Sequence, residues 1–241
     1  DIGKGEVVDL VGGLKDIQDQ KIRTVGKAAD RFAEDPLRKL RALRFAGRTG
    51  SKLEAETADA ILTDNSLEGV SPERIRDEFK KSIESAKKVK DYLKMVSEFN
   101  LWSVMFPTLQ VNEAFVESSL WLVQLAMLFG DNEREQIKKE MNKMTFTSDE
   151  TDSVLFLKSL MSFKAEDVFD LYKERDRAGI DKNNIIVFAK INRLDLKLVR
   201  AFLKYKPTTD GNEVMKKYGV KGPQIGEKIK ELEAEKFKKT I

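Results

Sequence analysis

The 241-residue chain contains no cysteine and no histidine. The first absence excludes disulfides, cysteine-based zinc sites and thiol nucleophiles, and the second removes the commonest metal ligand and the usual general base. Chemistry is therefore left to carboxylates, lysine, arginine, tyrosine and the backbone. Long apolar runs are also missing: none approaches the roughly 18 residues that a membrane span needs. No charged-then-apolar leader opens the sequence. These absences lead to the expectation of a cytoplasmic protein with no membrane partner. Strand-forming material is scarce as well, being confined to Glu6-Val-Val-Asp-Leu10 and Lys21-Ile-Arg-Thr-Val25. A lone hairpin is marginal in water, so these two short runs are expected to complete a larger sheet whose other strands lie elsewhere.

What the chain has in quantity is charge and helical periodicity. Charged residues make up 35% of it, hydrophobic residues 41%, and the mean hydropathy is −0.44, values that suit one or two folded domains with very polar surfaces. The net charge of +3 hides a strong asymmetry. Residues 21–48 hold nine Lys/Arg against three Asp/Glu, and residues 200–239 hold eleven against six, which leaves the rest of the chain net acidic. Two separated basic segments on an acidic body suit a polyanion held at two places. From Asp35 onward Leu, Ile, Phe and Met recur at three- and four-residue spacing. Helices are expected at roughly 36–48, 53–62, 72–97, 113–129, 132–142, 148–162, 165–178, 182–191, 194–205 and 223–238. The fold class is mainly α, an elongated multi-helix array with a short N-terminal β portion.

The richest stretch is Ala33-Glu-Asp-Pro-Leu-Arg-Lys-Leu-Arg-Ala-Leu-Arg-Phe45. Pro36 suits a first helical position, where its missing N–H costs nothing, and this makes Asp35 the expected N-cap. Leu37, Leu40, Leu43 and Ala46 supply a buried side. Arg38, Arg41, Arg44 and Arg48 fall within about 120° of one another around the helix. Forked guanidinium donors suit phosphate oxygens and base edges, and the helix N-terminus adds positive potential. Asp35 and Arg38, three apart, can address one ligand at the head of this helix. A carboxylate accepts from an exocyclic amine while an arginine donates to a ring nitrogen or carbonyl. Cytosine and adenine carry an amine beside an acceptor on the Watson–Crick edge, a pairing that uracil and guanine lack.

Glu34-Asp35-x-x-Arg38 followed by Leu-Arg-Ala-Leu-Arg-Phe resembles motif D of class II, bacterial-type tRNA nucleotidyltransferases, the superfamily of CCA-adding enzymes and poly(A) polymerases. Val8-Asp-Leu-Val-Gly-Gly-Leu-Lys-Asp16 and Ile22-Arg-Thr-Val-Gly26 resemble its motif C, and Val70-Ser-Pro-Glu-Arg-Ile-Arg-Asp-Glu-Phe79 resembles its motif E. Gly219-Val-Lys-Gly-Pro-Gln-Ile-Gly226 and the helix after it resemble the family's tail element.

The resemblance implies a remnant of a head-domain sheet and hinge at 1–26, a nucleotide-selecting neck at 27–100, a helical body at 101–207 and a tail at 208–241. It assigns Asp35 and Arg38 as a protein template for the bases of CTP and ATP. Arg41 and Arg44 become nucleotide-binding residues, and Glu34 the orienter of an arginine. Gly13, Asp16 and Arg23 belong to the hinge, and Ser71, Glu73 and Arg74 brace the neck. Lys221, Gly222, Lys228 and Lys230 are the tail's tRNA contacts. The family's metal-binding Asp-x-Asp is absent from this sequence. No catalytic or metal residue is therefore expected in the chain, and Mg²⁺ would come with a head domain supplied in cis or as a separate chain. The implied activity is template-independent CCA addition to tRNA, with the tRNA acceptor end at the neck and its body along the tail. The alternatives are an A-adding or CC-adding enzyme, a poly(A) polymerase, or a non-catalytic RNA-binding fragment. Trp102, Phe106 and Trp121 are read as packing rather than base-stacking residues.

Overall fold

The computed structural model describes residues 7–241, which form two compact units dividing after Phe146. The fold is mainly α. Among the described residues there are fifteen α-helices, one 3₁₀ turn and a two-stranded parallel ladder.

The first unit opens with α1 (Gly13–Gln18), β1 (Lys21–Ile22), α2 (Ala28–Glu34), α3 (Leu37–Thr49), β2 (Lys52–Leu53) and α4 (Ala55–Thr63). It continues with α5 (Pro72–Ser85), α6 (Val89–Glu98), α7 (Trp102–Met105), α8 (Trp121–Phe129) and α9 (Arg134–Lys143). The long amphipathic helix α3 lies at its centre, packed against α5 and α6. Its buried side holds the expected Leu37, Leu40, Leu43 and Ala46, joined by Lys39, Ala42 and Gly47. Gly47 permits the close approach to α6, since a Cβ there would sit 3.2 Å from that of Tyr92. Phe79 of α5 anchors an aromatic cluster with Trp102, Phe106 and Trp121, whose ring centroids lie 5.4–5.8 Å away in edge-to-face geometry. These three residues are buried, in the packing role expected of them.

The strands depart from expectation. Val7 to Leu10 form no strand, Glu6 lies outside the described residues, and the segment is an Asp9-capped lead into α1. β1 pairs instead with β2, in parallel register Lys21 with Lys52 and Ile22 with Leu53. Lys52 N–H donates to the Gln20 carbonyl at 3.0 Å and Glu54 N–H to that of Ile22 at 2.9 Å. The partner of β1 is thus a two-residue extension after α3, too short for alternation to reveal.

The helix expected over 72–97 is two. At Ala86 the backbone turns extended, and Lys87 N–H reaches back to the Gly47 carbonyl at 2.9 Å. The free N–H groups of Val89 and Lys90 donate to the Glu117 carboxylate at 2.8 and 3.1 Å. That distant cap carries no local sequence signature. Helix α8 starts at Trp121 rather than near 113, because the Gln124 side-chain amide holds the carbonyls of Val116 and Ser118 in a non-helical approach.

The second unit comprises α10 (Ser148–Met161), a 3₁₀ turn (Ala165–Asp167), α11 (Val168–Ala178), α12 (Lys182–Ile191), α13 (Leu196–Lys204), α14 (Gly211–Tyr218) and α15 (Pro223–Lys238). Thr147 and Glu150 form a capping box on α10, and Asp181, Asp195 and Asp210 cap α12, α13 and α14. The stretch around Thr208 to Gly211 is the entry to α14, a helix missing from those expected by periodicity. Phe156, Phe163, Phe202 and Phe237 stack through the unit's core, with centroid spacings of 5.2–6.1 Å.

Candidate functional site

The corner between α2 and α3 positions the pair of residues singled out by sequence. Asp35 has extended dihedrals and its carboxylate accepts from Leu37 N–H at 3.2 Å, while Pro36, expected as the first helical residue, stands one position earlier as the N-cap of α3. The same carboxylate is gripped by Arg74, whose Nη2 lies 3.3 and 3.1 Å from its two oxygens. Ser71 sets up that reach: it caps α5 by accepting from Arg74 N–H at 3.4 Å, and Pro72 takes the first helical position. Glu73 points to Arg76, 4.0 Å away, and plays no part at Asp35.

Arg38 is held from the other side. Its Nη1 donates to Glu34 Oε2 at 2.7 Å and to the Arg31 carbonyl at 3.0 Å. Arg31 donates to both oxygens of Glu34, at 2.9 and 2.6 Å. The hydrogen bond from Arg38, with Arg31 adding to it, holds the Glu34 carboxyl below its usual range. Asp35 and Arg38, three residues apart at this corner, are thus each fixed by a separate partner, Arg74 and Glu34. Their side chains are 27% and 34% exposed, open enough to meet a ligand yet restricted in rotamer.

The remaining arginines of α3 converge on a different feature. Arg41, Arg44 and Arg48 line a cavity of about 470 Å³ between α3 and α5, shared with Lys81 and Glu78. Arg44 is not free in it: its Nε donates to Glu78 Oε1 at 2.5 Å and its guanidinium lies 4.4 Å over the Phe45 ring. The arginine face of α3 is therefore divided, with Arg38 held by Glu34, Arg44 by Glu78, and Arg41 and Arg48 exposed.

Beyond Phe45 lies a second hollow of about 450 Å³, lined among others by Gly13, Asp16, Arg23 and Val25. Arg23 bonds Asp16 at 2.6 Å and the Val11 carbonyl at 2.8 Å. Gly12 permits this twice over, by its φ of +78° and because a Cβ there would fall 2.6 Å from Arg23 Nη2. Gly13 contributes its N–H to Asp9 at 2.9 Å.

In the second unit, Lys221 is exposed and Gly222 adopts a φ of 56° before α15. Lys228 pairs with Glu231 at 2.8 Å over the Tyr218 ring, and Lys230 pairs with Asp170 at 2.6 Å. The four tail residues do not form one cluster of free cations. No group of three or more acidic or other ligating residues that could hold a metal ion occurs among the described residues. None of the described helices is long and apolar enough to cross a membrane.

Sequence reasoning did not find the grip of Arg74 on Asp35, the Arg31 end of the Glu34 bridge or the Arg44–Glu78 pair. Arg74 and Glu78 lie 39 and 34 residues from their partners, so no local spacing announces them.

Residues 50–112 match the family model described as the probable RNA and SrmB-binding site of polymerase A. Poly(A) polymerase I of Escherichia coli is 34% identical over 142 residues, covering 58% of this chain and 28% of that protein. A CCA-adding enzyme of Streptococcus agalactiae is 29% identical over 260 aligned residues, covering 95% of this chain and 62% of that protein. The chain therefore spans about three fifths, or little more than a quarter, of these relatives. The crystal structure of the Bacillus stearothermophilus CCA-adding enzyme in complex with CTP has the same fold, with a TM-score of 0.69 over 95% of this chain and 64% of that one at 21% identity. Over most of its length the chain is similar to CCA-adding enzymes of the class II family, over part of it to poly(A) polymerase I, and it shares the fold of the former.

Proposed function

We propose that this chain is the nucleotide-selecting and tRNA-holding portion of a nucleotidyltransferase that adds CCA to tRNA 3′ ends from CTP and ATP. The observation that carries the reading is the corner at Asp35 and Arg38, where a carboxylate and a guanidinium three residues apart at a helix head are held by Arg74 and Glu34. Asp35 keeps acceptor capacity beyond its two partners and takes the exocyclic amine of C or A. Arg38 donates to the ring acceptor beside that amine. Uracil places a carbonyl against Asp35 and guanine a ring N–H against Arg38, so each leaves like groups facing one another. Pre-organisation by Glu34 and Arg74 lowers the entropy lost when the base docks.

Within this reading, Arg41 and Arg48 face phosphate, and Arg44, held by Glu78, shapes that cavity. The hinge at Gly13, Asp16 and Arg23 joins the neck to a head that carries the metal-dependent step, and the protein works in the cytoplasm. Lys221 and Gly222 meet tRNA directly, whereas Lys228 and Lys230 do so only by exchanging their partners Glu231 and Asp170.

A second reading, poly(A) polymerase, is supported by the 34% identity to that enzyme over 142 residues. The test joins this chain to a metal-binding nucleotidyl-transfer domain and supplies tRNA ending before CCA with all four triphosphates. Sequenced products that end in CCA support the proposal. Long A tracts support the second reading, and products indifferent to base contradict both.

A further inference from the structure

Glu34 is shared between two arginines, and the manner of sharing decides which donors of Arg38 stay open. A single nitrogen of Arg31, Nη1, straddles the carboxylate, 2.9 Å from Oε1 and 2.6 Å from Oε2. Arg38 reaches only Oε2, and it does so through its own Nη1 at 2.7 Å. The other hydrogen of that nitrogen goes to the Arg31 carbonyl at 3.0 Å. Arg38 is therefore anchored by one end of its fork. Its Nε–H and Nη2 hydrogens make no hydrogen bond among the described residues.

One-ended anchoring is not the geometry that a carboxylate and a guanidinium favour when left to themselves. Two parallel hydrogen bonds, one from each of two guanidinium nitrogens, make the stronger pair. If Glu34 closed on Arg38 in that way, it would occupy Nη2 as well as Nη1 and withdraw that donor from any base. Arg31 opposes the closure. By bonding both oxygens it keeps the carboxylate turned towards itself, and it competes with Arg38 for Oε2. We propose that Arg31 is a positioning residue that sets nucleotide specificity: it holds Glu34 so that Arg38 is anchored through Nη1 alone and keeps Nε and Nη2 for the base edge. The inference rests on base reading by Asp35 and Arg38. Arg31 acts through Glu34 and touches no nucleotide; it sits in the last turn of α2, with its side chain 40% exposed. Its carbonyl, which any residue supplies, keeps its own bond to Arg38 when the side chain is changed.

The test measures kcat/KM for CTP and UTP on the enzyme completed with a metal-binding nucleotidyl-transfer domain. The variants are Arg31→Ala, Arg31→Lys, Glu34→Gln, the pair Arg31→Ala with Glu34→Gln, and Arg38→Ala. Arg31→Ala is expected to lower the CTP-to-UTP ratio about tenfold, the scale of one charge-assisted hydrogen bond, chiefly through a raised KM for CTP. Arg31→Lys is expected to restore most of the ratio, because one ammonium can straddle Glu34 as the single Nη1 does. In the Glu34→Gln background the loss of Arg31 should have no further effect, since an amide has only one acceptor oxygen to set against the fork. A crystal structure of Arg31→Ala should show Glu34 bonded to two nitrogens of Arg38. An unchanged ratio in Arg31→Ala, beside a lowered one in Arg38→Ala, overturns the proposal and leaves base reading standing, whatever happens to the melting temperature. Additive losses in the paired variant, or a contact through Nη1 alone in the Arg31→Ala crystal, overturn it as well. A ratio unmoved by Arg38→Ala overturns base reading and this inference together.

Discussion

Glu233 shows how one side chain can hold a unit together and also define its surface. Burial pushes its carboxyl up, but the Thr209 and Tyr205 hydroxyls, the Lys236 ammonium and the Thr208 N–H outweigh that and bring it from 4.5 to about 2. A folded-state value below the unfolded one adds stability above pH 4.5, and that contribution is lost as pH falls from there towards 2. The second unit should therefore lose about 3 kcal/mol across this window. In urea melts followed by circular dichroism at pH 6, 4 and 2.5, Glu233→Gln should be weaker at pH 6 and less dependent on pH. The Arg44–Glu78 pair makes a similar case in the first unit, with side chains 14% and 8% exposed. Glu78→Ala strands a largely buried guanidinium and should cost about 3 kcal/mol in thermal or urea unfolding. The arginine stripe of α3 was legible in the sequence because 3.6-residue periodicity places it. Its division was legible only in part: Glu34 stands four residues from Arg38 and was expected to orient an arginine, whereas the Glu78 carboxylate that claims Arg44 lies 34 residues away.

Helices were legible where capping and periodicity agree. Asp35-Pro36 and Ser71-Pro72 mark the entries to α3 and α5, and Thr147 with Glu150 marks that to α10. Elements whose ends are satisfied from afar were not legible, as at Glu117 capping α6, and neither were those too short to show a period, as with α2, β2 and α14. The lead into α1 depends on backbone geometry that only glycine provides. Gly12→Ala would place a Cβ against Arg23 Nη2 at a positive φ, costing about 1 kcal/mol or more and displacing Arg23 from the Val11 carbonyl. Hydrogen exchange should quicken at Gly13 and Leu14 in that variant while α3 and α5 keep their protection. Unchanged exchange there would show that Arg23 yields without cost. Within α3, Gly47→Val would force α6 away at Tyr92, a steric cost of about 1–3 kcal/mol read as a lower melting temperature.

The molecule as a whole presents two positively charged features, one in each unit, matching the basic segments at 21–48 and 200–239. Under the proposed function, the charge of the first unit serves selection: Asp35 and Arg38, tethered by Arg74 and Glu34, would read the base, and Arg41 and Arg48 in the cavity of α3 would face phosphate. In the second, Arg200, Lys204 and Lys206 gather around one hollow. This division fits a protein that recognises nucleotide and RNA and relies on a separate metal-bearing domain for the joining step. The central claim, that Asp35 and Arg38 choose the base, is tested most directly by the ratio of kcat/KM for CTP over UTP, measured on the enzyme completed with such a domain. Replacing Arg38 with alanine should reduce that ratio at least tenfold, about 1.4 kcal/mol of lost discrimination. A ratio equal to that of the unaltered enzyme would contradict the account.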